Sequence, residues 1–387
     1  LNRFALFNLG FRPFILGASI FAVISIALWM IIYSSHLAVN VENITLSQWH
    51  AHEMLYGYGT AVIAGFLLTA VKNWTGVQTP RGKPLMVLFA SWCVARILLL
   101  FGTQFLAWAT MADLLFDLLL IAAVTQPIVK AKQWKQLAVV SKILLLWVGN
   151  LVFYLGSYGI IKSGMLYAMN GAVLLFISLI LMIGRRAIPF FIERGVDVKQ
   201  NEARVQLKQY KWLDISILVV FIALLLNAIF AHIPYLTLVF AWSLFALNGY
   251  RLFNWRAPLL WSLYVSAWLI NIGFFCYGLQ TQFSGLSIFT LHILTIGGIG
   301  LMTLGMMSRV VLGHTGRDIR KPSLWLGKAF ASIVISIVFR AFVPMFTMQY
   351  YPSWVIIAAT FWIVGFMIFV AIYTPILLQA RIDGAYG

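Results

Sequence analysis

Residues 13–35 read PFILGASIFAVISIALWMIIYSS, an apolar run without a single charge. A helix needs about 20 such residues to cross the hydrocarbon core of a bilayer, so a run of this length is a membrane span. It is too long for the apolar region of a signal peptide, and no small-residue cleavage site follows it. The rest of the chain repeats the pattern. Of its 387 residues, 62% are hydrophobic and only 10% charged, and the mean hydropathy is +0.94. Further runs bounded by charge, Pro or Gly fall at 50–71, 84–102, 106–128, 141–161, 165–184, 212–231, 235–250, 258–278, 285–310, 323–345 and 352–379. The expected fold is an all-α polytopic membrane protein of about twelve transmembrane helices, one helical domain over residues 1–387. Its one long connection, 185–211, mixes both signs of charge and reads as a solvated cytoplasmic loop.

A net charge of +17 raises the question of nucleic acid, but the Lys and Arg residues are scattered between apolar runs, so no nucleic-acid partner is expected. Membrane topology accounts for them. With a cytoplasmic N-terminus, the inward connections carry Arg3 and Arg12, Lys72 to Lys83, Lys130 to Lys142, Arg185 to Lys211, Arg251, Arg256, and the cluster from Arg309 to Lys328, with Arg381 beyond. The outward connections hold only Lys162. This is the positive-inside asymmetry, and it places both termini in the cytoplasm. Arg96 and Arg340 stay within spans. Cys93 and Cys276 sit singly in separate apolar runs and form no disulfide framework or thiolate metal motif.

Trp49-His50-Ala51-His52-Glu53-Met54 sets two imidazoles, a carboxylate and a thioether at the outer mouth of the second span. Ionisable groups are costly in lipid, so such a cluster is by default a functional candidate. On an ideal helix His50 and Glu53 share a face while His52 points nearly opposite. Either the two histidines serve different sites, or one is a ligand and the other a gate. Ser47 read as an N-cap makes the first turn regular and favours the first option. His292 enters the tenth span from the same side and opens a stripe His292, Thr295, Ile299, Met302, Met306 in a glycine-rich helix. Met302 and Met306 are soft potential ligands for copper or haem iron, with ordinary packing as the competing reading. His314 follows in the turn-rich Leu312-Gly313-His314-Thr315-Gly316-Arg317, just beyond Arg309.

Arg96 in the third span and Asp113 and Asp117 in the fourth fall at comparable depth, the two aspartates four apart on one face. A buried Arg–carboxylate pair is the structural reading; a proton path or an anchor for haem propionates is the functional one. Arg12 and Trp74 lie at the inner face, where they are placed to bracket an acidic headgroup or a propionate. His36 and His232 fall in short outer loops and read as solvated. Six histidines in total, two of them in loops, exclude the buried six-histidine set of the haem–copper oxidase type of reductase. One or two haems of mixed or five-coordinate ligation, with or without a copper, remain.

Asn8-Leu9-Gly10-Phe11-Arg12-Pro13-Phe14, the Trp49–Met54 motif, Gly65-Phe66-Leu67-Leu68-Thr69-Ala70-Val71, Asn73-Trp74-Thr75-Gly76, Gly184-Arg185-Arg186-Ala187-Ile188-Pro189-Phe190-Phe191 and the segment His292 to Arg317 resemble the NnrS family across essentially the whole chain. The resemblance implies a multi-pass protein of the bacterial inner membrane that holds haem b, with or without copper, and serves the nitric oxide response, denitrification and resistance to nitrosative stress. The roles given to individual residues rest on their chemistry. His50, His52, His292 and His314 are the candidate metal and haem ligands, joined by Met302 and Met306 for the metal. Arg12, Arg96 and Arg309 are candidate cofactor contacts, and Glu53, Asp113 and Asp117 candidate proton carriers.

The expected function is binding and detoxification of nitric oxide, by reduction to nitrous oxide if the protein turns over. As an enzyme it would be a nitric oxide reductase-like oxidoreductase drawing electrons from a quinol or a redox protein. The alternatives are a non-catalytic protein that binds nitric oxide or metal in protection or signalling, and a proton-coupled twelve-helix transporter.

Overall fold

The apolar runs form twelve helices in the structure, a computed structural model that describes residues 4–35, 43–195, 210–254 and 261–387. They are α1 Phe11–Ser35, α2 Leu46–Thr75, α3 Lys83–Leu100, α4 Leu106–Lys130, α5 Trp134–Ser157 and α6 Gly164–Gly195. The second half holds α7 Lys211–Ala231, α8 Pro234–Asn254, α9 Trp261–Leu279, α10 Ser284–His314, α11 Trp325–Phe346 and α12 Tyr351–Leu378. Eleven are long and apolar enough to cross a membrane. The twelfth, α8, is less apolar because Asn248, Arg251 and Asn254 fall in its last turns. Among the described residues the β structure is one isolated bridge, Phe4 with Gln379. The chain is therefore an all-α polytopic membrane protein, as its apolar runs require. Large apolar side chains such as Val87, Trp108, Met111, Ile215 and Val219 lie exposed on the helices. In water that surface would be a liability; in lipid it is the matched solvent.

Several boundaries differ from the sequence expectation, each for a local reason. α2 starts at Leu46 because Thr45, not Ser47, is its N-cap, in a capping box with Gln48. α10 runs on to His314, so this histidine ends a helix rather than lying in a turn. α6 continues to Gly195 through the first part of the 185–211 connection; 196–209 lie outside the described residues, as do His36 and Arg256.

Among the described residues four stretches wind as π-helix: Glu53–Gly59 in α2, Asn227–Ala231 in α7, Ile293–Gly300 in α10 and Val338–Phe342 in α11. A π turn inserts a residue and re-aims the side chains beyond it, and such turns concentrate at functional sites.

Packing divides the described residues into two compact units. The first comprises Leu1–Leu175, Met307–Ala329 and Trp362–Gly387; the second comprises Phe176–Met306 and Phe330–Phe361. In the first unit α1 packs on α2, α3 on α4 and α4 on α5. Trp362 Nε1 donates to the Ala22 carbonyl at 3.2 Å and pins α12 to α1. The Ala5 amide donates to the Leu378 carbonyl at 2.9 Å, so the segments before α1 and after α12 lie on the same face. In the second unit α7 packs on α8, α8 on α9, and α9 on the π stretch of α10. Here the glycines have a purpose: a Cβ on Gly297 would meet Leu269 at 2.9 Å, and one on Gly298 would meet Ile270 at 2.7 Å.

The charge asymmetry yields a direct test. In a chain with Cys93 and Cys276 replaced by alanine, Ser163→Cys in the α5–α6 turn is expected to react with a membrane-impermeant thiol reagent in intact cells, and Gln133→Cys in the α4–α5 turn only after lysis. Labelling in the reverse order would invert the topology.

Candidate functional site

The first unit contains a fully buried polar cluster built by four helices. α2 supplies His52, Glu53 and Tyr56; α3 supplies Trp92 and Arg96; α4 supplies Asp113 and Asp117; α5 supplies Asn150 and Tyr154. Each residue follows from sequence spacing. Trp92 and Arg96, Asp113 and Asp117, and Asn150 and Tyr154 are pairs four apart, so each pair presents one face of its helix.

Arg96 is the hub. Its Nη1 donates to Glu53 Oε1 at 2.9 Å and its Nη2 to Asp113 Oδ1. Asp113 Oδ2 in turn accepts from Tyr154 Oη at 3.0 Å and from Asn150 Nδ2 at 3.2 Å. Asn150 Nδ2 also donates to Asp117 Oδ2 at 2.9 Å. With its amide nitrogen committed to two carboxylates, Asn150 must turn its oxygen to His52, whose Nε2 lies 3.0 Å away. The other ring nitrogen, Nδ1, meets Glu53 Oε1 at 2.9 Å. Arg96 and the His52 imidazole thus face three buried carboxylates. Glu53 Oε2 is buried without a hydrogen-bond partner.

The π turn makes this geometry possible. Gly57, within the π stretch, lies against Arg96: a Cβ there would come within 2.6 Å of Nη1. Trp92 Nε1 donates to the Gly57 carbonyl at 2.9 Å and ties α3 to the π stretch. His52 and Glu53 enter the cluster together, while the His50 ring lies 4.8 Å from that of Trp29.

The other candidates lie elsewhere. His292 is at the α-to-π junction of α10 in the second unit, its Nδ1 donating to the Ile288 carbonyl at 2.7 Å. Met302 and Met306 pack with Leu252, Leu263 and Trp268, and Met302 Sδ accepts from Ser266 Oγ at 3.6 Å. His314 lies 5.7 Å from the Phe11 ring. Arg12 directs its Nη1 to the carbonyls of Leu377 and Gln379, both at 2.7 Å, at the end of α12. Arg309 is a half-buried residue of α10, and His232 ends α7 in a left-handed conformation, φ 51°. Among the described residues no group of three or more His, Cys, Asp and Glu side chains is arranged to hold a metal ion.

With this arrangement in view, the comparison with known families is decisive. The sequence model described as NnrS protein matches residues 5–381. The chain belongs to the NnrS family. No curated protein matches it.

Sequence reasoning about this NnrS-family chain missed Asn150, Tyr154 and Tyr56. The signal was present: a lone Asn in the apolar α5, with Tyr one turn on. It also missed a local correspondence between two helices. His52 and His292 are each followed by a π stretch, and each has glycine five and thirteen residues later, at Gly57 and Gly65 and at Gly297 and Gly305.

Removing the hub strands two buried carboxylates. Arg96→Met is expected to destabilise the protein by about 3–5 kcal/mol, the usual cost of breaking a buried ion pair from one side. Gly57→Ala, which changes no charge, should lower stability in the same direction by displacing Arg96. Unfolding in mixed micelles measures both; wild-type stability in either variant would remove Arg96 from the centre of the fold.

Proposed function

We propose that the protein takes up nitric oxide within the bacterial inner membrane and removes it by reduction to nitrous oxide, with the Glu53 cluster as its proton source. Family membership supports a place in the nitric oxide response. The observation that carries the chemical part is the unbonded Oε2 of Glu53, in a cluster of three buried carboxylates. Joining two molecules of nitric oxide as nitrous oxide and water consumes two protons and two electrons. The electrons come, in this reading, from a quinol or a redox protein.

The histidines proposed to hold a haem are His50, His292 and His314. His292 fits an axial ligand in one respect: the bond from Nδ1–H to a backbone carbonyl fixes the tautomer whose lone pair is on Nε2 and orients the ring. A haem so bound would supply an iron position that binds nitric oxide and accepts electrons. The donor set does not fit a copper held by three or more of these side chains among the described residues, so no step depends on copper.

The protein's own residues handle the protons. Glu53 gives a proton from Oε2, and His52 Nδ1 and Arg96 Nη1, both 2.9 Å from Oε1, steady the carboxylate that results. Asp113, whose Oδ2 lies 3.5 Å from His52 Nε2, faces the other edge of the imidazole. Asp117 stands behind, joined through Asn150. Arg96 and Tyr154 fix Asp113, so the cluster changes protonation without changing shape.

A proton-coupled transporter is the second reading. The π-interrupted α2 beside a buried charge cluster favours it, since broken helices near ionisable groups are the usual form of a membrane substrate site. Cofactor content separates the two.

Glu53→Gln keeps the hydrogen-bonding shape and removes the exchangeable proton. It is expected to retain bound haem while slowing anaerobic nitric oxide consumption by roughly 10²-fold or more, read with a nitric oxide electrode; an unchanged rate takes Glu53 out of the mechanism. His292→Ala is expected to lose haem that His36→Ala keeps, measured as haem per protein after purification. Equal content in both would overturn the ligand assignment.

A further inference from the structure

A second cluster of the first unit, at the face that carries both chain ends, is unused by this chemistry. Four segments meet there. The Gly82 amide donates to the Phe7 carbonyl at 2.8 Å, and the Ile382 amide to the Thr315 carbonyl at 3.4 Å. Arg381 Nη1 donates to the His314 carbonyl at 3.1 Å, and Tyr386 Oη to the Asn8 carbonyl at 3.1 Å. The Tyr386 ring lies under both Arg81 and Lys72, at 5.3 and 5.7 Å.

These segments, residues 4–12, 72–82, 312–321 and 378–387, carry Arg12, Lys72, Arg81, Arg317, Arg320, Lys321 and Arg381 against two acidic side chains, Asp318 and Asp383. Both acids are already engaged. Asp318 Oδ1 accepts from the Arg320 amide and from its Nε at 2.9 and 3.2 Å. Arg381 Nε donates to Asp383 Oδ1 at 2.9 Å and its Nη2 to Oδ2 at 2.5 Å. That pairing holds the Asp383 carboxyl down at about 2. The remaining positive charge has no counter-charge among these side chains.

Arg12 locates the need. It is fully buried, and its Nη1 is spent on the carbonyls at the end of α12. The opposite edge of the same guanidinium, Nε and Nη2, is buried and donates to nothing. This edge is the fork that grips two oxygens of a phosphate or carboxylate side by side. Arg317 lies within electrostatic reach of Arg12, and its own Nη1 is likewise buried without an acceptor. Two guanidinium groups near each other, each with buried bondless donors, repel unless an anion lies between them. Water could accept the hydrogen bonds but would leave the charge.

We propose that this face holds a phosphate group between Arg12 and Arg317. Its source is either the headgroup of an acidic phospholipid or free phosphate from the aqueous side. Arg12 grips it with its Nε–Nη2 edge, Arg317 closes from the helix-end loop, and Lys72, Arg81 and Arg381 set the positive field that selects a multiply charged anion over a neutral headgroup. In this arrangement the ligand ties the start of α1, the end of α2, the end of α10 and the end of α12 together, so it is a structural cofactor of the first unit and does not depend on haem.

The test uses the full chain purified in detergent, returned to nanodiscs of phosphatidylglycerol or of phosphatidylcholine alone, with native mass spectrometry and phosphorus analysis as readouts. Wild-type protein is expected to retain one phosphatidylglycerol through delipidation, and Arg317→Gln to lower that occupancy by roughly tenfold, the equivalent of one lost charge-assisted hydrogen bond. Arg317→Lys should recover part of it. Lys135→Gln, basic but outside the four segments, should keep wild-type occupancy. If the ligand is free phosphate, wild-type protein in phosphatidylcholine will instead bind inorganic phosphate, with a rise in melting temperature that Arg317→Gln lacks. Protein that binds neither, or an Arg317→Gln variant that binds both as the wild type does, would overturn the proposal. So would a phosphorus-free protein whose Arg317→Gln variant loses a carboxylate-bearing cofactor.

Discussion

A guanidinium cannot be left bare in the interior of a membrane helix bundle. Arg96 therefore dictates what surrounds it. Neutralising it requires carboxylates at both Nη atoms, and these come from Glu53 on α2 and Asp113 on α4. Asp113 Oδ2 needs donors, which brings in Asn150 and Tyr154, and His52 joins Arg96 at Glu53 Oε1. Asn150 in turn reaches Asp117. One buried cation thus fixes the rotation of four helices about their axes, something apolar packing against lipid-like neighbours specifies poorly. The same constraint explains Gly57, where any side chain would occupy the space the guanidinium needs.

The chemistry proposed for this cluster is proton handling. Three acids face one arginine and one histidine in a buried site, and the hydrogen bonds around Asp113 hold its shape. A gas such as nitric oxide needs no polar entrance, since it dissolves in the bilayer. What a membrane protein must supply for its reduction is protons and electrons, and the first of these is the part that these side chains are suited to provide.

Much of the fold was legible because lipid imposes a simple rule. Runs of about 20 apolar residues become helices, and basic residues crowd at one set of ends. Arg96, Asp113 and Asp117 announced a buried ion pair by their depth. Less visible was how the pair would be completed. Nothing in the sequence marks the change of winding at Glu53, and ideal helix geometry placed His50, not His52, beside that carboxylate. Asn150 was overlooked because a single amide in an apolar helix resembles ordinary packing until its partners are known. Ser47 drew attention as a cap, although Thr45 and Gln48 form the more complete capping box. Met302 and Met306 fit the sequence pattern of soft ligands and pack beside Leu252, Leu263 and Trp268, with Ser266 donating to Met302 Sδ.

The measurement that bears most directly on the account is an optical spectrum of the purified protein, oxidised and then reduced, before and after anaerobic addition of nitric oxide, with metal analysis of the same sample. The account predicts a haem band, stoichiometric iron, and a shift of that band on adding nitric oxide. A protein without haem, spectrally blank and unresponsive to the gas, would contradict it and leave the buried cluster to proton-coupled transport.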